Sequence, residues 1–204
     1  MTKTKSIKTG AVALAAAFLV APTALGTQSV PAVTHAELSV VKKLANSVST
    51  PVKAYTINTK YALGTNEGSS LLAANKFIVL HDVGVESGAA ANANYFKNNW
   101  ASSQSYTQLV VGDGGQVYLV GALGYQAWGA YSYANANSPV QIELGHASTY
   151  AQFKLDYAAY VAVAHDMALK FGIPLRFNNA TSGIITHHFV SLNFEGDHVD
   201  PDGY

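Results

Sequence analysis

The sequence has no cysteine and few charged residues. Among its 204 residues, 12 are Lys or Arg and 12 are Asp or Glu, so the formal net charge is zero. Without cysteine, neither disulfides nor thiolate metal ligands are available, and the fold must rely on its apolar core and on other ligands. A neutral chain also lacks the basic surface that binds nucleic acid or an anionic membrane, so we expect neither as a partner.

Apolar residues are abundant instead. They make up 49% of the chain, which favours a well-buried globular core over disorder. A chain of this length suits one domain with accessory segments.

The N-terminal residues have the pattern of a secretory leader. Three lysines among the first eight residues precede an apolar run at residues 10–21, which is too short for a relaxed membrane span. We therefore expect residues 1–36 to be a signal peptide, cleaved after Ala36 or, alternatively, after Gly26. The mature protein would be secreted, with no stable membrane insertion. An uncleaved anchor is less favoured, because small residues and Pro22 interrupt the run.

Two regions follow the leader. Residues 37–49 have apolar side chains at helical spacing and end before Pro51, which predicts a short helix. Residues 37–75 as a whole are expected to form a helix and loop that pack on the domain. Residues 76–204 are expected to form the catalytic domain.

Strand and helix patterns alternate within residues 76–204. Strands are predicted at residues 76–81, 106–111, 116–120 and 140–144, and helices at residues 88–100 and 153–171. Between the second and third strands, Asp113-Gly114 predicts a two-residue hairpin turn, since such a turn needs positive φ at both positions. This order of elements predicts an α/β fold with a mixed central sheet flanked by helices.

The long helix at residues 153–171 is expected to be buried on most sides. Gln152, Asp156, Asp166 and Lys170 fall on one narrow stripe of a helical wheel, and nearly everything else is apolar. His165 lies on the apolar side, which favours a hydrogen-bonded core histidine.

The last 22 residues of the chain place two adjacent histidines before an acidic turn. His187 and Asp200 are residue types that zinc takes as ligands, and a catalytic zinc needs three protein ligands with the fourth position open. His81, at the end of a predicted strand, is a candidate for the third. In an extended segment the side chains of His187 and His188 would point oppositely, so at most one would face the site.

Glu143 interrupts an otherwise apolar strand. An unpaired carboxylate there would be costly to bury, so it is either ion-paired or faces a polar cavity. The chain has few cations, which favours the cavity. His146, three residues later, is left open between a supporting role at the site and a plain loop residue.

A calcium loop is an alternative interpretation of the C-terminal acidic turn. Asp197, Asp200 and Asp202 could supply oxygens, and calcium takes about six to eight of them. The interleaved His198 and Pro201 fit such a loop poorly, so zinc is favoured.

Four motifs together resemble the zinc-dependent N-acetylmuramoyl-L-alanine amidases of type 2, which are related to peptidoglycan recognition proteins and amidase-type phage lysozymes. The motifs are IVLHDVG around His81, LVVGDGGQVYLVG at the hairpin, AWGAYSYANANSPVQIEL up to Glu143, and GIITHHFVS with DHVDPDGY at the end. The resemblance covers residues 76–204 and implies the mixed-sheet α/β fold of that group.

The resemblance implies a role for each residue that matches a family motif. His81, His187 and Asp200 would bind Zn²⁺, with Asp where some relatives have cysteine. Glu143 would activate the water bound to the metal, and His198 would stabilise the transition state.

Two softer matches follow from the same resemblance. Tyr106 stands where some relatives have a supporting catalytic tyrosine. Trp128 resembles an aromatic that lines the substrate groove, although a core or hairpin-edge tryptophan is nearly as good an interpretation.

The function implied is that of a secreted peptidoglycan hydrolase acting in the cell wall. It would cleave the amide between N-acetylmuramic acid and L-alanine of the stem peptide. The alternative is a non-catalytic peptidoglycan-binding module on the same fold. Relatives of that kind lose a zinc ligand, whereas all three positions are filled here.

Overall fold

A six-stranded sheet forms the centre of residues 55–204, the part of the chain that the computed structural model describes. The strands are β1 (Ile57–Asn58), β2 (Phe77–Asp82), β3 (Leu109–Gly112), β4 (Gln116–Leu119), β5 (Val140–Leu144) and β6 (Gly183–Thr186). The predicted signal peptide at residues 1–36 and the predicted helix at residues 37–49 lie outside the described residues.

The sheet is mixed, as predicted. Its order is β1-β4-β3-β5-β2-β6, and only the β3–β4 hairpin is antiparallel. The three neighbours β5, β2 and β6 are parallel, so their carboxyl ends lie at the same edge. In sheets of this kind, sites gather at that edge.

Helices cover both faces of the sheet. They are α1 (Ala89–Ser103), α2 (Tyr131–Asn137), α3 (Tyr150–Lys170) and α4 (His187–Asn193). Helix α3 packs on one face, where Ile78, Ile142 and Val163 belong to one buried apolar cluster. The other three helices pack on the opposite face. Within residues 55–204, no helix combines the length and the apolar character needed to cross a membrane.

Alternation along the buried strands decides which side chains reach the site. Because successive residues point to opposite faces, Ile78 and Ile142 lie on the α3 side, while Val79 belongs to the cluster on the other face. His81 and Glu143 continue the series on that second face. An apolar strand buried on both sides therefore ends in a polar side chain at the carboxyl edge.

The hairpin loop has one residue more than predicted. Gly112 pairs with Gln116, so Asp113, Gly114 and Gly115 form a three-residue loop, all with positive φ. The sequence pattern identified the turn but not Gly115 as part of it.

Two aspartates fix this hairpin to the helices. The Asp113 carboxylate accepts the N–H groups of Ala89 and Ala90 at 3.1 and 2.7 Å, at the start of α1 where these donors have no helical partner. Asp156 on α3 accepts the N–H groups of Gly114 and Gly115 at 2.7 and 2.6 Å. The hairpin is thereby held between the two helical layers.

The polar stripe of α3 faces solvent only in part, and the helix is less buried than predicted. Asp156 is fully buried, and Asp166 accepts a hydrogen bond from the Tyr55 hydroxyl at 3.0 Å. The exposed side instead carries apolar side chains such as Leu155 and Val161. His165 is also exposed, so the prediction of a core histidine is wrong. The donors for the two stripe carboxylates are the hairpin N–H groups for Asp156 and the Tyr55 hydroxyl for Asp166.

Residues 187 and 188 are helical rather than extended. Helix α4 begins at His187, and the Thr186 side chain caps it by accepting the Phe189 N–H at 3.0 Å. Consecutive side chains on a helix also point in different directions, so here too at most one of His187 and His188 faces the site. His187 is buried, while His188 contacts Asp202 nearer the surface.

Candidate metal centre

Three adjacent parallel strands deliver the first side chains of the site. His81 on β2 pairs in register with Glu143 on β5. On the other side of β2, Leu80 pairs with Thr186, so His187 follows immediately beside His81. The two imidazole rings lie 4.6 Å apart between centroids.

The loop after α4 brings Asp200 to the same point. The His188 N–H donates to the Asp200 backbone carbonyl at 2.9 Å, which holds the loop against the start of α4. The Asp200 carboxylate then lies between the two histidines, with Oδ2 at 3.2 Å from His81 Nδ1 and Oδ1 at 3.1 Å from His187 Nδ1. The two Nδ1 atoms are 3.1 Å apart.

This arrangement suits a tetrahedral metal ion. Zn²⁺ binds His nitrogen and carboxylate oxygen at about 2.0–2.2 Å, which places neighbouring ligand atoms of a tetrahedron roughly 3.3–3.5 Å apart. The observed separations of 3.1–3.2 Å are close to that edge length. Within residues 55–204, His81, His187 and Asp200 form the one group of three or more such side chains that could hold a metal ion.

The electrostatics of these side chains follow from burial and from each other. Burial lowers the pKa of His187, which favours the neutral ring that a metal needs. Burial alone would raise the pKa of Asp200, but hydrogen bonds from His187 and His81 outweigh it and hold that pKa well below its usual range. Asp200 is therefore an anionic candidate ligand at neutral pH.

Glu143 lies beside the candidate metal ligands in a small cavity. The cavity measures about 250 Å³, and its lining includes His81, Glu143, His187, His198 and Asp200. Glu143 is only 8% exposed and its Oε2 atom has no hydrogen-bond partner. Burial raises the pKa of Glu143 to about 8, a value suited to a group that gives and takes protons near neutral pH. The cavity expected from a carboxylate in an apolar strand is present.

His198 stands at the mouth of the same cavity. Its ring stacks on His187 at 4.1 Å between centroids, and its Nδ1 lies 3.2 Å from Asp200 Oδ1. At 54% exposed it is the most solvent-accessible histidine of the site. Its Nε2 edge is thus available to a ligand in the cavity.

Tyr106 and Trp128 occupy the core next to the site rather than the cavity. The Tyr106 side chain is 2% exposed, and its hydroxyl accepts the Ser69 N–H at 2.7 Å and donates to the Gln126 carbonyl at 3.0 Å. Half-buried Trp128 packs on Tyr106 at 5.2 Å between centroids. The residue next to it, Gly129, does line the cavity. The catalytic assignment of Tyr106 and the groove assignment of Trp128 both stay predictions.

Tyr131 is a residue of the site that the sequence did not suggest. It has a positive φ of 58°, which is unusual for a bulky residue, and its hydroxyl donates to Asp197 Oδ1 at 2.8 Å. Its ring lies 6.0 Å from His187 and 5.9 Å from His198. No periodic pattern marks it, because it begins the seven-residue helix α2.

The cavity continues into two neighbouring depressions. One of about 440 Å³ lies toward α1 and shares Val83, Phe96 and Glu143 with the central cavity. The other, of about 480 Å³, shares Asp200 and His198 with it and is walled by His146, whose ring stacks on Tyr204. His146 thus lies beside the site, 3.3 Å from Asp82. An extended substrate could cross the metal position from one depression to the other.

A mixed sheet with two histidines and an aspartate converging at its carboxyl edge defines an α/β protein with a candidate divalent metal centre. Residues 72–203 match the family described as N-acetylmuramoyl-L-alanine amidase. The chain belongs to this family.

A curated relative supports the same assignment. The chain is 33% identical over 156 residues to an endolysin of Listeria phage A511. The aligned region covers 74% of this chain but 45% of the endolysin, so the chain spans less than half the length of that relative.

Solved structures share the fold at low sequence identity. The Staphylococcus aureus hydrolase AmiA, in complex with its ligand, is 20% identical with a TM-score of 0.62, covering 85% of this chain and 83% of that one. A mutant endolysin from Bacillus subtilis is 21% identical with a TM-score of 0.51, covering 67% and 86%. PlyL is 16% identical with a TM-score of 0.52, covering 70% and 82%. These likenesses confirm the predicted fold class.

Proposed function

We propose that this chain is a zinc-dependent N-acetylmuramoyl-L-alanine amidase that hydrolyses peptidoglycan. The observation that carries the proposal is the convergence of His81, His187 and Asp200 at 3.1–3.2 Å, with the buried carboxylate of Glu143 in the same cavity. A module that only binds peptidoglycan has no use for three converging metal-binding atoms or for an unpaired buried carboxyl group.

His81, His187 and Asp200 would hold the zinc ion. Bound there, Zn²⁺ would polarise the scissile carbonyl and make a water molecule acidic enough to attack near neutral pH. Two neutral imidazoles and one carboxylate leave a net positive charge at the ion, which suits stabilisation of a developing oxyanion.

Glu143 would act as the general base and then the general acid. It takes a proton from the attacking water and passes it to the nitrogen of L-alanine as the amide bond breaks. Burial raises its pKa to about 8 in the metal-free protein, which favours the protonated form that acts as the donor. Its side chain lines the cavity in which the attacking water would be bound.

His198 would donate a hydrogen bond to the carbonyl oxygen as negative charge develops there. Its Nδ1 faces Asp200 Oδ1, so the carboxylate orients the ring and leaves Nε2 to face the substrate. The two depressions beside the cavity would receive the muramyl side and the peptide side of the bond.

The chemistry is tested by measuring zinc content and products with one protein preparation. Purified chain is expected to hold one zinc per molecule and to release new α-amino groups of L-alanine from purified peptidoglycan, seen by mass spectrometry. Glu143→Gln should keep the zinc and lose at least roughly 10²-fold in kcat. Glu86→Gln is the matched control, because Glu86 is almost fully exposed.

Two results would contradict the proposal. One is normal turnover by the Glu143→Gln variant. The other is the appearance of new reducing sugar ends without new amino groups, which would indicate cleavage of the glycan instead.

We also propose that the protein acts outside the cell, in the wall. The support is the lysine-containing leader and apolar run within residues 1–36. N-terminal sequencing of the protein recovered from culture medium is expected to begin after Ala36 or Gly26. Full-length protein retained inside the cell would contradict this.

A further inference from the structure

The two histidines at the metal position differ in what holds their second ring nitrogen. His81 Nε2 lies 3.2 Å from the side-chain oxygen of Gln141, whereas His187 Nε2 is buried without a hydrogen-bond partner. Both rings are 2% exposed, so bulk water does not supply a substitute. Of the two rings, His81 is therefore the one oriented by a side chain behind it.

The orientation of the Gln141 amide follows from its own partners. The backbone N–H of Ala130 donates to Asn135 at 2.9 Å, and a donor requires an oxygen there, so Oδ1 faces it. The same oxygen accepts from Gln141 Nε2 at 2.9 Å. With its nitrogen toward Asn135, Gln141 must present its oxygen to His81.

This chain of hydrogen bonds selects one form of the His81 ring. An amide oxygen can only accept, so the contact with Gln141 requires a hydrogen on Nε2. The Asp200 carboxylate is also an acceptor, 3.2 Å from Nδ1, so the neutral ring satisfies both neighbours when its hydrogen is on Nε2 and a metal ion lies between Nδ1 and the carboxylate. Nδ1 is then left with its lone pair, directed at Asp200 and His187. The backbone N–H of Ala130 thus determines, through two amide side chains, that His81 Nε2 faces an acceptor.

The surroundings of Gln141 are built to keep it in place. Gln141 is fully buried, so bulk water does not compete for its amide. A Cβ atom at Gly129 would lie 2.5 Å from the Gln141 oxygen, so glycine there leaves room for the amide beside His81.

We propose that Gln141 is a positioning residue that holds His81 in the Nε2–H form and so presents Nδ1 to the zinc ion. The proposal rests on the metal centre of the proposed function. Hydrogen-bonded partners behind ligating histidines typically contribute roughly 10–100-fold to metal affinity.

The first test observes the His81 ring directly. Nitrogen NMR of the zinc-loaded protein, labelled at histidine, is expected to show zinc on Nδ1 of His81 and a hydrogen-bonded hydrogen on Nε2. His81→Asn identifies the signal. Zinc on Nε2, or an Nε2–H group without a hydrogen bond, would overturn the proposal.

The second test compares two buried glutamines. Gln141→Met removes the acceptor, and Gln108→Met is the matched control, since Gln108 is also fully buried and bonds Gln141 N and Tyr125 O without touching His81. Competition with a chelator should show zinc affinity about 10–100-fold weaker for Gln141→Met. The zinc affinity of the Gln108→Met control should stay within about threefold of wild type. Equal losses in the two variants would overturn the proposal.

Asn135 provides a route that leaves Gln141 unchanged. Asn135→Leu removes the oxygen that orients the amide and should weaken zinc binding in the same direction. Asn135→Asp keeps an acceptor for both Ala130 N and Gln141 Nε2, so it should bind zinc at least as tightly as wild type. Wild-type affinity in Asn135→Leu would count against the chain of hydrogen bonds.

The outcomes for the two proposals are distinguishable. If wild-type protein binds no zinc, both fail. If wild type binds zinc and hydrolyses peptidoglycan while Gln141→Met binds zinc equally well, the proposed function stands and the role of Gln141 is wrong.

Discussion

His81 and Glu143 are direct neighbours in register on the parallel strands β2 and β5, and both point away from helix α3. A candidate metal ligand and a carboxyl group are thus fixed relative to each other by the backbone hydrogen bonds of the sheet rather than by a loop. Placement on rigid strands is what proton transfer at a metal site needs.

The burial of Glu143 predicts a pH-dependent stability of the metal-free protein. The folded state holds this proton up to a pKa of about 8, while the unfolded state releases it near 4.5. Between these values the folded state binds more protons, so its stability decreases as the pH rises, by at most about 1.4 kcal/mol per pH unit. Glu143→Gln cannot titrate and should lose less stability across this range.

The measurement is urea unfolding of chelator-treated protein, repeated in steps of about one pH unit from about pH 5 to about pH 8. The difference in unfolding free energy between Glu143→Gln and wild type should grow steadily toward the upper end. Parallel curves for the two proteins would show that Glu143 is not held protonated by the fold.

His198→Ala should weaken catalysis without removing the metal. The ring stacks on His187 and faces the cavity but is not one of the three converging ligands. We expect kcat to fall roughly 10²–10³-fold, the usual loss for one donor to an oxyanion, with zinc content unchanged. His165→Ala, at a similarly exposed histidine on α3, is the control and should be neutral. Loss of zinc from His198→Ala would instead make His198 a ligand.

Asp156→Ala should destabilise the fold while leaving the site chemistry intact. It leaves the N–H groups of Gly114 and Gly115 without their buried acceptor, and such losses cost about 1–3 kcal/mol for each unsatisfied group. We expect a loss of about 2–4 kcal/mol in unfolding free energy, with zinc affinity of the folded protein unchanged. Asp156→Asn keeps one acceptor oxygen and should lose less. An Asp156→Ala variant as stable as wild type would refute this account of the hairpin.

Gly196→Ala should weaken metal binding from outside the ligand set. Gly196 has a φ of 116°, and a Cβ there would lie 2.2 Å from the Tyr131 ring. Since Gly196 lies in the loop that carries Asp200, the clash should displace the carboxylate and lower zinc affinity by about tenfold or more. Gly203→Ala, where a Cβ meets nothing within 4 Å, should bind zinc normally. Equal zinc affinity in the two variants would mean that the loop absorbs the clash.

Helix α3 shows a clear difference between prediction and structure. The sequence predicted the helix correctly, but the prediction that it is buried on most sides is wrong, since one side exposes apolar residues such as Leu155 and Val161. It did not indicate that Asp156 faces inward, since the donors for that carboxylate come from a hairpin about 40 residues earlier in the chain. His165 was misplaced for the same reason, because burial depends on which elements pack nearby.

Helix α4 shows a second limit of prediction from the sequence. An apolar run followed by two histidines is compatible with a strand or a helix, and periodicity alone does not separate short runs. The Thr186 cap and the packing of Val190 against the sheet decide for the helix. The sequence did not indicate roles for Tyr131 and Gln141, because a tyrosine or a glutamine acquires such a role only from the residues that pack around it.

By itself, the sequence determined the chemical types available to the site and the strands that carry His81 and Glu143, since both depend on residue identity and on short-range alternation. The tertiary structure decided that Asp200 meets the two histidines, that His198 stacks on one of them, and that Gln141 stands behind the other. These contacts join residues far apart in the chain, and they arise only when the order of strands in the sheet brings the carboxyl ends of β5, β2 and β6 together.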